Sequence, residues 1–85
     1  MEKLVKISLA GDLQARPIAM LVQVASQYDS NIYLETDGKK VNAKSIMGMM
    51  SLSLKSGDEV IVKAEGSDEI NAVKGIEDFL TDNNG

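Results

Sequence analysis

Apolar residues recur with two distinct periods along this chain, and the switches between them mark out seven elements. From Leu4 to Leu9, Val5, Ile7 and Leu9 alternate with Lys6 and Ser8, the period-2 pattern of a strand with one buried face. Ala10-Gly11-Asp12 breaks the run, and Ile18, Leu21, Val22 and Ala25 then follow the i, i+3, i+4, i+7 spacing of an amphipathic helix. The spacing predicts a start at Pro17, because proline in a first helical turn has no intrahelical N–H bond to lose. Ile32 and Leu34 alternate with Tyr33 and Glu35 up to Asp37-Gly38, and Lys39 to Val41 follows. Asp-Gly between strand-like segments predicts a hairpin, since its two-residue turn needs positive φ.

Ser45 precedes Ile46-Met47-Gly48-Met49-Met50-Ser51-Leu52, too short and glycine-weakened to be helical alone but opened by a good N-cap. A short helix held by packing is expected. Ser56-Gly57-Asp58 leads into a fourth strand, Glu59 to Ala64, in which Val60, Val62 and Ala64 alternate with Ile61 and Lys63. After Gly66, Ser67-Asp68 can cap a last helix whose core positions are expected at Ile70, Val73, Ile76 or Glu77, and Leu80. The order β-α-β-β-α-β-α predicts an α+β domain with helices on one face of a largely antiparallel sheet. No repeat or linker interrupts it, so residues 1–85 are expected to form a single domain.

Composition removes most chemistry. With no Cys and no His among the 85 residues, disulfides, thiolate zinc sites, Cys/His nucleophiles and imidazole acid-base catalysis are excluded. No metal, no cofactor and no enzymatic activity are expected. Nine Lys and Arg against thirteen Asp and Glu give a net charge of -4, the wrong sign for binding nucleic-acid phosphates. The bases gather early: residues 1–44 carry six bases and five acids, and residues 45–85 carry three bases and eight acids. That split predicts a mildly basic end of the fold. No apolar run approaches the roughly 20 residues of a membrane span, and no leader pattern opens the chain, so a cytoplasmic protein is expected.

Three segments could carry function. Leu13-Gln14-Ala15-Arg16-Pro17 opens the first helix, where free N–H groups and the forked Arg16 donor suit an anion. Gln14 supplies no nucleophile, and an ordinary capped helix with an exposed arginine explains the same residues. Ser45 is either a simple cap or a phosphorylation site, since phosphate at a helix start gains from the dipole and the free amides. Ile46, Met47, Met49, Met50, Leu52 and Leu54 spread too widely around a short helix for all of them to face the core. Met49 and Leu52 are expected inside, whereas Met47 and Met50 suit either gap filling or a partner.

In this order the segments resemble the HPr phosphocarrier family of the sugar phosphotransferase system. Leu13-Gln14-Ala15-Arg16-Pro17 is similar to the family's Gly-[Leu/Ile]-His-Ala-Arg-Pro, with Gln14 in place of the histidine. Asp37 to Leu52 resembles the regulatory-serine region, and Gly57-Asp58-Glu59-Val60 and Gly66-Ser67-Asp68-Glu69 extend the likeness over essentially the whole chain. The glutamine with an intact serine is the mark of a subgroup, catabolite repression HPr or Crh. The resemblance implies an open-faced β-sandwich of four antiparallel strands and three helices. It also implies phosphorylation of Ser45 by HPr kinase/phosphorylase, and a corepressor role with a LacI-type catabolite control protein. The family's partner surface carries over to Gln14, Arg16, Ala19, Gln23, Ser45, Ile46, Met47 and Met50, and a homodimer is a further expected assembly. Asp12 stands where the family has glycine, and Ile18 replaces a usually small residue, with a bulkier rim to the partner surface as the expected result. The rival readings are a phosphocarrier using another residue and an adaptor domain whose Ser45 is only a cap.

Overall fold

Side chains that alternate along a strand must bury one face, and in this chain three strands bury theirs on a common core while a fourth, short one packs half-buried Val41 against it. The computed structural model describes residues 1–8, 15–52, 54, 55 and 57–81, with residues 15–17 described by backbone alone. In chain order the elements are β1 (Glu2–Lys6), α1 (Ala15–Ser26), β2 (Asn31–Thr36), β3 (Lys39–Asn42), α2 (Ile46–Met50), β4 (Glu59–Glu65) and α3 (Glu69–Leu80). The strands form one sheet in the order β1-β4-β2-β3, with every neighbouring pair antiparallel. Register sets Val5 opposite Val60, Leu34 opposite Val62 and Ile32 opposite Ala64, and all six side chains are buried. The alternate positions Leu4, Tyr33, Glu35, Ile61 and Lys63 form the other, open face. Helices cover the inner face: Ile18, Leu21, Val22 and Ala25 of α1, Met49 of α2, and Ala72, Val73, Ile76 and Leu80 of α3 complete the core.

The Asp37-Gly38 turn joins β2 to β3 with φ of 51° and 77°, as the two-residue hairpin requires. β1 ends its ladder at Lys6, earlier than the alternation suggests. Its chain runs on as Ile7, whose N–H donates to Asp58 O at 2.8 Å, and Ser8, whose N–H donates to Leu80 O at 2.8 Å. Leu9 lies outside the described residues. Helix α1 begins at Ala15, two residues before Pro17, and still keeps the proline in its first turn, where an N–H is dispensable.

Three expectations are corrected. Ile70 is 68% exposed, because at about 100° per residue it points well away from the stripe made by Ala72, Val73, Ile76 and Leu80. Of the paired alternatives, Ile76 is buried, while Glu77 reaches Lys3 of β1 at 2.7 Å. Asp68 stands at the N-cap of α3, but its side chain makes no capping bond. Its carboxylate instead accepts from the N–H groups of Asp29 (2.9 Å) and Ser30 (3.0 Å), and from the Ser30 hydroxyl. Ile18 is core and not rim, since it lies on the inward stripe of α1. The two halves of the linear charge split interleave in the sheet, because β4 of the acidic half is threaded between β1 and β2 of the basic half. Ion pairs cross the split, Lys3 to Glu77 and Lys63 to Glu35 (2.9 Å).

Candidate functional site

The segment leaving β3 is shaped by its own polar residues. Asn42 accepts the Lys44 N–H on its side-chain oxygen at 2.8 Å, and its carbonyl accepts the Ser45 N–H at 3.0 Å. Between them Ala43 is fully buried and donates its N–H to Ile32 O at 2.9 Å, which nails the turn to the sheet. Lys44 Nζ donates to Tyr28 O at 2.8 Å, placing a cation beside the carbonyl end of α1. Ser45 therefore arrives extended (φ -112°, ψ 115°) as the N-cap of α2. Its Oγ accepts the Gly48 N–H at 3.2 Å, and its carbonyl accepts the Met49 N–H at 3.0 Å. At the far end the Ser51 hydroxyl donates to Gly48 O at 2.6 Å. Caps at both ends thus hold a helix too short to form alone.

This single turn sorts its apolar residues sharply. Met49 is 1% exposed and part of the core, and Leu52 packs half-buried against it. Met47 is 84% exposed, Met50 48% and Ile46 45%, so the helix that half-buried Ser45 opens holds three large apolar side chains in solvent. The structure resolves the open choice at Met47 and Met50 in favour of exposure.

Helix α1 packs against α2 and bears two more of the expected residues, half-buried Ala19 and exposed Gln23, one turn apart. Arg16 belongs to the first turn of α1, with its side chain outside the description, and Gln14 and Asp12 lie outside the described residues. Sequence reasoning missed Met20, which is exposed on α1. The signal was present, since the helical period sets position 20 opposite the stripe of Ile18, Leu21, Val22 and Ala25. Lys44 was also missed as an anchor, because its partner at Tyr28 leaves no local pattern.

Among the described residues no group of acidic side chains could hold a metal ion, and no helix is long and apolar enough to cross a membrane.

Comparison with known proteins identifies this arrangement. A family model described as the PTS HPr component phosphorylation site matches residues 1–82. The chain belongs to the HPr family. Within that family it is 49% identical over 79 residues to the HPr-like protein Crh of Halalkalibacterium halodurans, covering 93% of this chain and 94% of that one. Its structure superposes on an HPr phosphocarrier from Bacillus anthracis with a TM-score of 0.91 at 44% identity, covering 94% of this chain and 95% of that one. It also resembles the crystal structure of Bacillus subtilis Crh, a domain-swapped dimer, with a TM-score of 0.79, 46% identity, and coverage of 93% and 86%. The sheet order and three helices described above are thus those of the HPr fold.

Proposed function

We propose that this chain is a regulatory HPr-like protein of carbon catabolite repression, switched by phosphorylation of Ser45 and not itself a catalyst. The observation that carries the reading is the placement of Ser45. Its hydroxyl caps α2 beside exposed Ile46, Met47 and Met50, in an HPr-family chain that contains no histidine. HPr kinase/phosphorylase would transfer the γ-phosphoryl group of ATP to Oγ, which gives up its proton as the β–γ P–O bond breaks and ADP leaves, adding about -1.5 to -2 charges at pH 7 beside an apolar patch. Such a pairing suits a two-part contact: a cation on the partner recognises the phosphate, and burial of the thioethers supplies affinity. The partner in this reading is a LacI-type catabolite control protein, for which the phosphorylated chain is corepressor. Arg16, Gln14, Ala19 and Gln23 extend the contact along α1. Cytoplasmic location follows from that partnership, and residues 1–85 act as one HPr-like domain.

A homodimer belongs to the same proposal. Crh relatives are dimeric, and β1 here is an edge strand paired with β4 alone, the kind of element that two copies can exchange.

Incubation with HPr kinase/phosphorylase and ATP should add one phosphate, which mass spectrometry places on Ser45 and which Ser45→Ala abolishes. Incubation with phosphoenolpyruvate and enzyme I should add none, since no imidazole nitrogen is present to accept it. Phosphate on Ser51 in the first reaction, or acid-labile phosphate in the second, overturns the reading.

A further inference from the structure

All five methionines of the chain lie in described segments, and their environments differ widely. Met49 is 1% exposed, whereas Met47, two residues away on the same helix, is 84% exposed, well above Met20, Met50 and Met1. Exposure controls how readily a thioether meets a dissolved oxidant. It is therefore the residue at the centre of the proposed contact that is open to oxidation, while the one that holds α2 on the core is shielded.

We propose that Met47 is a redox modification site, at which oxidation by a peroxide to the sulfoxide switches off the docking surface beside Ser45. This inference rests on the corepressor reading above. The sulfur lone pair attacks one peroxide oxygen, the S–O bond forms as the O–O bond breaks, and the second oxygen leaves as water after proton transfer. Sulfur loses two electrons and the peroxide gains them. Reversal takes a reductase of the methionine sulfoxide class with a dithiol as reductant, which returns the thioether and releases a disulfide and water.

The consequence falls on binding and not on the fold. Met47 contributes nothing to the core, so a polar S=O group on it stays in water while the chain is alone. In a complex the same oxygen must enter a desolvated contact without an assured donor, which weakens affinity by roughly tenfold or more. Phosphate at Ser45 then turns the surface on, and oxygen at Met47 turns it off, two residues apart on one turn of helix.

The test takes the full chain phosphorylated on Ser45 and treats it with graded hydrogen peroxide, following each methionine by peptide mass spectrometry. Met47 should be converted first and Met49 last, with the circular dichroism spectrum unchanged. At the dose that converts Met47 and spares Met50, affinity for the catabolite control protein should fall roughly tenfold, and methionine sulfoxide reductase should restore it. Met47→Leu, whatever its starting affinity, should lose no more at that dose. Oxidation of Met49 in step with Met47, unchanged affinity of the oxidised form, or an equal loss in Met47→Leu overturns the inference alone. Failure of the unoxidised phosphoprotein to bind overturns the corepressor reading and this inference with it.

Discussion

Truncating Met49 and Met47 separately to alanine should separate stability from binding on one turn of helix. Met49 is 1% exposed within the core, and removing a buried methionine side chain typically costs about 2–5 kcal/mol. The lower half of that range applies here, about 2–3 kcal/mol, because α2 has only five residues and relaxes towards the space more readily than a long helix. A domain of 85 residues has a total stability of about 4–13 kcal/mol, so the loss is a large share of it. At about 4–8 °C per kcal/mol the melting temperature should drop by about 10–20 °C. Met47 is 84% exposed, and its truncation should stay within about 0.5 kcal/mol of wild type. The order reverses in binding. Met47→Ala in the Ser45-phosphorylated chain removes apolar area from the proposed contact and should cost about 1–2 kcal/mol, roughly five- to thirtyfold in Kd. Urea and thermal unfolding followed by circular dichroism give the first pair of numbers, and titration calorimetry with the catabolite control protein gives the second. Equal melting temperatures for the two variants would refute the facing of α2. A stable Met47→Ala that binds as tightly as wild type would remove Met47 from the contact.

Hydrogen bonds to Asp68, led by the Ser30 hydroxyl and then the Asp29 N–H, hold its carboxyl below the ordinary aspartate value of 3.8. A depressed folded-state value means the stabilisation is complete above the unfolded value and is lost as pH falls through the folded one. Asp68→Asn should therefore be less stable at pH 7 and show a flatter decline below about pH 4 than wild type, and parallel acid-unfolding curves would contradict this. Gly75 of α3 faces Tyr28, and an added Cβ would sit 2.9 Å from its Cζ and 3.1 Å from its Cε2. Gly75→Ala should lose about 1–3 kcal/mol in urea denaturation despite the better helix propensity of alanine, whereas a gain in stability would show that Tyr28 moves freely. Lys44→Met removes the ammonium that holds Tyr28 O and should cost about 1 kcal/mol, with no change expected in the circular dichroism of α2. A variant as stable as wild type would show that this bond is not formed in solution.

The elements and their inward faces were legible in the sequence because they depend on neighbours within about one turn or two strand positions. Alternation placed Val5, Ile7, Val60, Val62 and Ala64 inside, and the helical period did the same for Ile18, Leu21, Val22 and Ala25. Asp37-Gly38 announced its hairpin through a local demand for positive φ, and Ser45 announced α2 through the cap it makes to Gly48. Even the excess of apolar residues on α2 implied that some must be exposed. Met49 was already expected inside; tertiary structure decided the open cases, because only the packing of α2 against the core fixes its rotation and turns Met47 and Met50 out. It also decided the order β1-β4-β2-β3, which scatters a charge split that looks spatial when read along the chain. Asp68 shows the limit most plainly. Its sequence position marks a helix cap, yet its carboxylate binds Asp29 and Ser30, 39 and 38 residues away, and leaves the cap unmade. A pattern a few residues wide registers the local option for such a side chain, while the competing donors reach it only once loop closure has brought the start of β2 against the start of α3.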